Sequence, residues 1–154
     1  MQRKVFDDIK KHIAAKEFTI ITGARQIGKT TVMKQIFKQL QFENQSVVFL
    51  NLERSEILKD LNENPENVFN YITDTQNNQR AIIFIDEIQY LNNPSNFIKL
   101  LYDDFSDKIK IVATGSSAFY IDRDFKDSLA GRKKIFELKT LDFEEFLLFK
   151  QEDK

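Results

Sequence analysis

Two glycines separated by four residues, followed at once by a lysine and a hydroxyl side chain, occur at Gly23-Ala24-Arg25-Gln26-Ile27-Gly28-Lys29-Thr30, with Thr31 next. That spacing suits a polyphosphate. The glycines let the chain curl so that the backbone N–H groups of residues 24–29 point inward, and a helix starting near Lys29 adds the positive end of its dipole. Lys29 can reach β- and γ-phosphates, and the Thr30 hydroxyl can complete the shell of a Mg²⁺ ion. Arg25 is a further cation in the loop. The alternative is an ordinary strand-to-helix turn, although composition alone would give this pattern in fewer than about one chain in a hundred.

Three further clusters carry chemistry. In Ala81-Ile82-Ile83-Phe84-Ile85-Asp86-Glu87, an apolar run ends in two carboxylates. At the carboxyl end of a parallel strand Asp86 is placed to hold Mg²⁺, through water, and Glu87 to act as general base on an attacking water. An isolated Asp-Glu pair would read as the start of a loop or a helix cap, but this one follows a phosphate-binding loop by some sixty residues. Thr114-Gly115-Ser116-Ser117 offers hydroxyls that could sense a γ-phosphate, Ser116 before Thr114 or Ser117, or simply make a turn. In Gly131-Arg132-Lys133-Lys134, Arg132 could supply charge to a transferring phosphoryl group, within the chain or across an oligomer interface; a solvated edge or a nucleic-acid contact are the alternatives.

The frame that must position these residues is one α/β unit covering residues 1–154. The 23 Lys+Arg and 24 Asp+Glu nearly balance at a net charge of -1, with 42% hydrophobic and 31% charged residues, as in an ordinary globular domain rather than a generic coat for nucleic acid. The absence of cysteine excludes disulfides, thiolate metal sites and cysteine nucleophiles, and a single histidine, His12, argues against a histidine metal site or a Ser-His pair. His12 itself reads as a surface or partly buried residue. No apolar run approaches the roughly 20 residues that span a bilayer. Acids at Asp7 and Asp8 oppose a signal peptide, so a cytoplasmic location is expected. The four glycines, Gly23, Gly28, Gly115 and Gly131, all flank the clusters above.

Strands are expected over Phe18–Thr22, Val47–Leu52, Ala81–Ile85, Ile109–Thr114 and Ile135–Leu138, continuous apolar runs typical of buried parallel strands. Val32, Met33, Ile36, Phe37 and Leu40 share one face of a crossover helix, and Pro94-Ser95 starts another that carries Phe97, Ile98, Leu101, Tyr102 and Phe105. Asp142 and Glu145 read as the cap of a last helix, whose apolar residues either pack on this sheet or await a continuation of the chain.

Taken in order, Gly23 to Thr31, Ile85-Asp86-Glu87-Ile88-Gln89, Thr114-Gly115-Ser116-Ser117-Ala118, Leu129-Ala130-Gly131-Arg132 and Leu141-Asp142-Phe143-Glu144-Glu145-Phe146-Leu147 resemble one family along nearly the whole chain. It is the AAA+ P-loop ATPase domain of a large bacterial and archaeal group related to the signalling ATPases with numerous domains. The resemblance implies a three-layer P-loop fold with a five-stranded parallel sheet of order 5-1-4-3-2 and helices on both faces. It also implies ATP and Mg²⁺ as ligands, and a following C-terminal domain, often nuclease-like. The chain departs from the family at Ala24, where many members have proline, and leaves no length after the fifth strand for a helical lid. The expected function is Mg²⁺-dependent ATP binding and hydrolysis coupled to a partner or a further domain, with self-association through Arg132 and a DNA partner both open. The alternative is a nucleotide-gated interaction or DNA-binding module with negligible hydrolysis. No Asn-Lys-x-Asp guanine motif and no Leu-Ser-Gly-Gly-Gln signature is present, which argues against a GTPase and a transporter ATPase.

Overall fold

The computed structural model describes residues 2–24, 26–73, 79–116, 129–139, 147, 148 and 151. Arg25, Ser117, Ala118 and the start of the expected last helix at Asp142 lie outside the described residues.

Five parallel strands, β1 (Phe18–Gly23), β2 (Val47–Asn51), β3 (Ala81–Asp86), β4 (Ile109–Ser116) and β5 (Lys133–Leu138), form one sheet in the order β2-β3-β4-β1-β5. This is the expected order read from the other edge. Among the described residues the sheet is flanked by the α-helices α1 (Gln2–His12), α2 (Lys29–Phe42), α3 (Ser55–Glu63) and α4 (Pro94–Phe105). Three of the strands run one or two residues further toward the site than their apolar runs suggest, because ladder pairing continues through Gly23, Asp86 and Ser116. β5 starts two residues earlier, at Lys133, where pairing with Phe18 outweighs the polar character of two lysines.

Alternation along each strand explains why the runs are apolar without interruption. Ile20, Ile83 and Ile111 join one core with Leu61 of α3 and Phe97, Ile98 and Leu101 of α4. Their neighbours Ile21, Phe84 and Val112 join the other, with Phe6 and Ile9 of α1 and Val32, Met33 and Ile36 of α2. Both faces are covered, so β1 and β3 are buried along their whole length and β4 up to Gly115, as parallel sheets require. The expected face of α2 is the one that packs.

The carboxyl ends of all five strands point the same way, and the phosphate-binding sequence leaves from the end of β1, inside the sheet. At the opposite end, two cations, Arg80 just before β3 and Lys110 of β4, hold the segment that joins α1 to β1. Arg80 donates to the carbonyls of Ala15, Lys16 and Ile109 at 2.7, 2.7 and 3.0 Å. The fully buried Lys110 ammonium donates to the carbonyls of His12 at 2.8 Å, Ala15 at 3.2 Å and Glu17. Burial, reinforced by the neighbouring guanidinium, pushes Lys110 down to about 7. Among the described residues, no helix is long and apolar enough to cross a membrane.

Candidate nucleotide site

The loop between β1 and α2 is shaped by three backbone positions. Gly23 has no room for a side chain: a Cβ there would lie 2.8 Å from the Leu138 carbonyl oxygen and 2.9 Å from Cγ2 of Ile27. Gln26 and Gly28 both have positive φ, 61° and 94°, so the chain turns left-handed twice before the helix starts. Gly28 is also the cap residue of α2 and offers no side chain to the helix's first amides. Those amides therefore face a cleft of about 280 Å³ lined by Gln26, Gly28, Lys29, Thr30, Thr31 and Glu87. An uncapped helix start with its dipole is an anion site.

Lys29 is buried, at 5% exposure, and its ammonium donates to the carbonyls of Gly23 at 2.9 Å and Ala24 at 2.7 Å. It lies along the inside of its own loop. Thr30, one residue on, donates its hydroxyl to Asp86, 3.1 and 3.0 Å from the two carboxylate oxygens. Asp86 is 4% exposed at the end of β3 and also accepts from the hydroxyl of Thr114. The same Thr114 oxygen accepts from the backbone N–H of Glu87 at 3.0 Å. One threonine on β4 thus ties the two acids together.

Glu87 has left-handed backbone angles, φ 63° and ψ 53°, which cost a non-glycine residue about 1–2 kcal/mol. The bend brings its side chain to the cleft and brings Gln89 back over it, so that Nε2 of Gln89 donates to Oε2 of Glu87. Lys29, Thr30, Thr31, Gln26, Gly28, Asp86 and Glu87 are therefore gathered at one end of the sheet, with Gly23, Ala24 and Ile27 forming the loop itself.

Two expectations fare differently. Ser116 is half-buried at the end of β4, paired in register with Gly23, while the bonds to the acidic pair come from Thr114. Arg132 lies at the wrong end of the sheet to act within its own chain. Its carbonyl accepts from Phe18 N–H where β1 begins, and roughly 17 Å of strand separates that point from the loop at about 3.3 Å per residue. It is paired with Asp103 of α4, Nε to Oδ1 at 2.7 Å and Nη2 to Oδ2 at 3.3 Å, which holds the Asp103 carboxyl below the usual carboxylate range. The correction follows from strand direction: a residue just before a parallel strand sits at the amino end. His12 is half-buried away from the cleft, 2.7 Å from the Thr19 hydroxyl and edge-on to Phe136, and burial with the nearby Lys110 and Lys134 charges lowers it to about 4.

Sequence reasoning gave Gln89 no role and ranked Thr114 below Ser116. Both residues stand in the motifs that carry the family resemblance, but their contacts were not legible there, since one depends on the register of β3 against β4 and the other on the bend at Glu87.

A parallel sheet of this order, with a glycine-flanked lysine loop after β1 and an Asp-Glu pair after β3, defines a P-loop NTPase fold. The chain belongs to the AAA domain family, which it matches over residues 15–147. It is similar to two proteins of Methanocaldococcus jannaschii: Uncharacterized protein MJ1544, 31% identical over 93% of this chain, and Uncharacterized protein MJ1637, 30% identical over 86%. The chain spans only 31% and 28% of their lengths. Among solved structures its fold resembles AMPPCP-bound DnaA from Aquifex aeolicus, at TM-score 0.61 and 13% identity, over 90% of this chain and 46% of that one. It also resembles PCH-2 of C. elegans, at TM-score 0.56 and 20% identity, over 90% and 40%. The Aeropyrum pernix ORC1 protein in complex with DNA gives TM-score 0.55 and 13% identity, over 88% and 44%.

Proposed function

We propose that this domain binds ATP with Mg²⁺ and hydrolyses it, and that it works as one unit of a longer chain whose remainder, or a partner, responds to the nucleotide. The observation that carries the reading is the Thr30–Asp86 contact, which joins the hydroxyl after the loop lysine to the acid at the end of β3. A mere turn and a mere helix cap have no reason to meet. Solution of the DnaA neighbour with AMPPCP supports an adenine nucleotide, as does the absence of a guanine-reading motif.

The donor set fits magnesium. Thr30 and Asp86 supply hard oxygens, and the described residues hold no cluster of three or more His, Cys, Asp or Glu side chains that would form a full protein cage. Mg²⁺ is commonly held by one or two protein oxygens, with phosphates and waters completing the shell. When bound, it neutralises charge on the β- and γ-phosphate oxygens. The loop amides and the α2 amino terminus cradle the phosphates, and Lys29 exchanges the Gly23 and Ala24 carbonyls for phosphate oxygens. Glu87 accepts the proton of the water that attacks the γ-phosphorus in line with the departing diphosphate.

Within this reading Arg132 acts only across an interface, from the far end of a second copy. The nuclease-like domain that the resemblance implies is the segment the nucleotide would move. The test is a pair of substitutions assayed for binding and turnover. Lys29→Ala is expected to abolish ATP binding. Glu87→Gln is expected to leave binding intact while slowing turnover by about 10²–10⁴. Tight ATP binding by the first variant, or an unchanged rate in the second, overturns the corresponding role.

A further inference from the structure

Gln89 has no part in the chemistry described so far, yet its side-chain amide makes one bond among the described residues, to the carboxylate of Glu87. Its other polar atom, Oε1, is buried without a partner among those residues. An amide kept for the fold would be satisfied at both ends, since an orphaned buried acceptor works against stability. The geometry around Glu87 is restrained from two directions: Thr114 on β4 holds its backbone N–H at 3.0 Å, and Gln89 holds Oε2. Oε1 of Glu87 is left as the carboxylate oxygen that can face the cleft with Gln26, Gly28, Lys29, Thr30 and Thr31. The left-handed bend at Glu87 is what folds Gln89 back over it, so the strain at one residue and the orphaned oxygen at another serve the same contact.

We infer that Gln89 is a positioning residue, which anchors one carboxylate oxygen of Glu87 so that the other is presented to the attacking water in a fixed direction. This rests on the proposed role of Glu87 as base. A glutamate carboxylate swings about three bonds, and pinning one oxygen removes most of that freedom before the reaction starts. The loss of such orientation affects the chemical step and leaves nucleotide affinity alone, because Gln89 does not line the cleft.

The test uses Gln89→Met, which keeps the length and apolar stem, deletes the donor and removes the orphaned oxygen. The expected result is a kcat lowered about 10-fold or more with KM for ATP within about twofold of wild type, and a melting temperature equal to or above wild type. A second readout needs no nucleotide. In ¹⁵N–¹H spectra of the free chain, the Gln89 side-chain amide pair is expected to shift on Glu87→Ala, as it must if the bond exists in solution. Unchanged kcat in Gln89→Met, or a fall in kcat matched by a lowered melting temperature, overturns the inference while leaving the function intact. An amide pair insensitive to Glu87→Ala also overturns it. If wild type itself shows no turnover, the base role fails and the inference fails with it, and an amide pair that still shifts locates that failure in the catalytic reading rather than in the contact.

Discussion

Gly23 and Gly131 form a matched pair of perturbations. A methyl group at Gly23 would sit 2.8 Å from the Leu138 carbonyl oxygen and 2.9 Å from Cγ2 of Ile27, where ordinary contact begins at 3.4 Å. The first neighbour is backbone of a paired strand and cannot turn aside, and Ile27 is itself buried. The loop must then move away from β5 by about half an ångström, carrying with it the Gly23 carbonyl that Lys29 holds. Overpacking of this kind costs about 1–3 kcal/mol. At Gly131, φ is 78° and a Cβ meets nothing within 4 Å, so Gly131→Ala carries only the left-handed backbone cost of about 1–2 kcal/mol. For a chain of this size each kcal/mol lowers the melting temperature by about 2–4 °C. The two variants should therefore melt a comparable few degrees below wild type. Only Gly23→Ala should lose affinity for a fluorescent ATP analogue, by about tenfold or more, because displaced loop amides no longer converge on the phosphates. Binding by Gly23→Ala at the wild-type Kd, or an equal loss in Gly131→Ala, would refute the assignment of the loop.

Other expectations are more direct. Thr30→Val removes the hydroxyl that donates to both Asp86 oxygens and should raise the Mg²⁺ concentration for half-maximal turnover about 10-fold or more, hydrogen bonds to charged groups being worth about 1.5–3 kcal/mol; an unchanged Mg²⁺ titration would remove Thr30 from the metal site. If Arg132 acts across an interface, turnover per chain rises with protein concentration and Arg132→Ala abolishes that rise; a rate independent of concentration in wild type sinks the trans role. Lys110 is lowered on folding from 10.5 to about 7, so between those values the unfolded chain binds the extra proton and stability increases with pH. Urea midpoints should climb from pH 7 to pH 10, and Lys110→Met should flatten the climb; the same slope in both proteins would show that Lys110 does not titrate there.

What the sequence made legible was whatever is local in the chain. The eight residues from Gly23 to Thr30 carry their own geometry in their spacing, and Asp86 announces its place because an apolar run ends there. The two-sided cores were readable for the same reason, in strands with no polar alternation. What escaped was set by pairing. Thr114 rather than Ser116 bonds the acidic pair because of register, and Gln89 reaches Glu87 only through a backbone bend that no residue type demands. Arg132 was left open between its own chain and a second copy although the sequence could have narrowed the choice, since a parallel β5 fixes which end its first residue occupies.

The close fit of Gly23 against Leu138 has a mechanical consequence. The end of β5 is one wall of the loop, with no room between them for even a methyl group, so a shift of the loop toward β5 is resisted first by the Leu138 carbonyl. On the proposed function, this contact is where a nucleotide-dependent shift of the loop would first reach β5, a pawl resting directly on the wheel it follows.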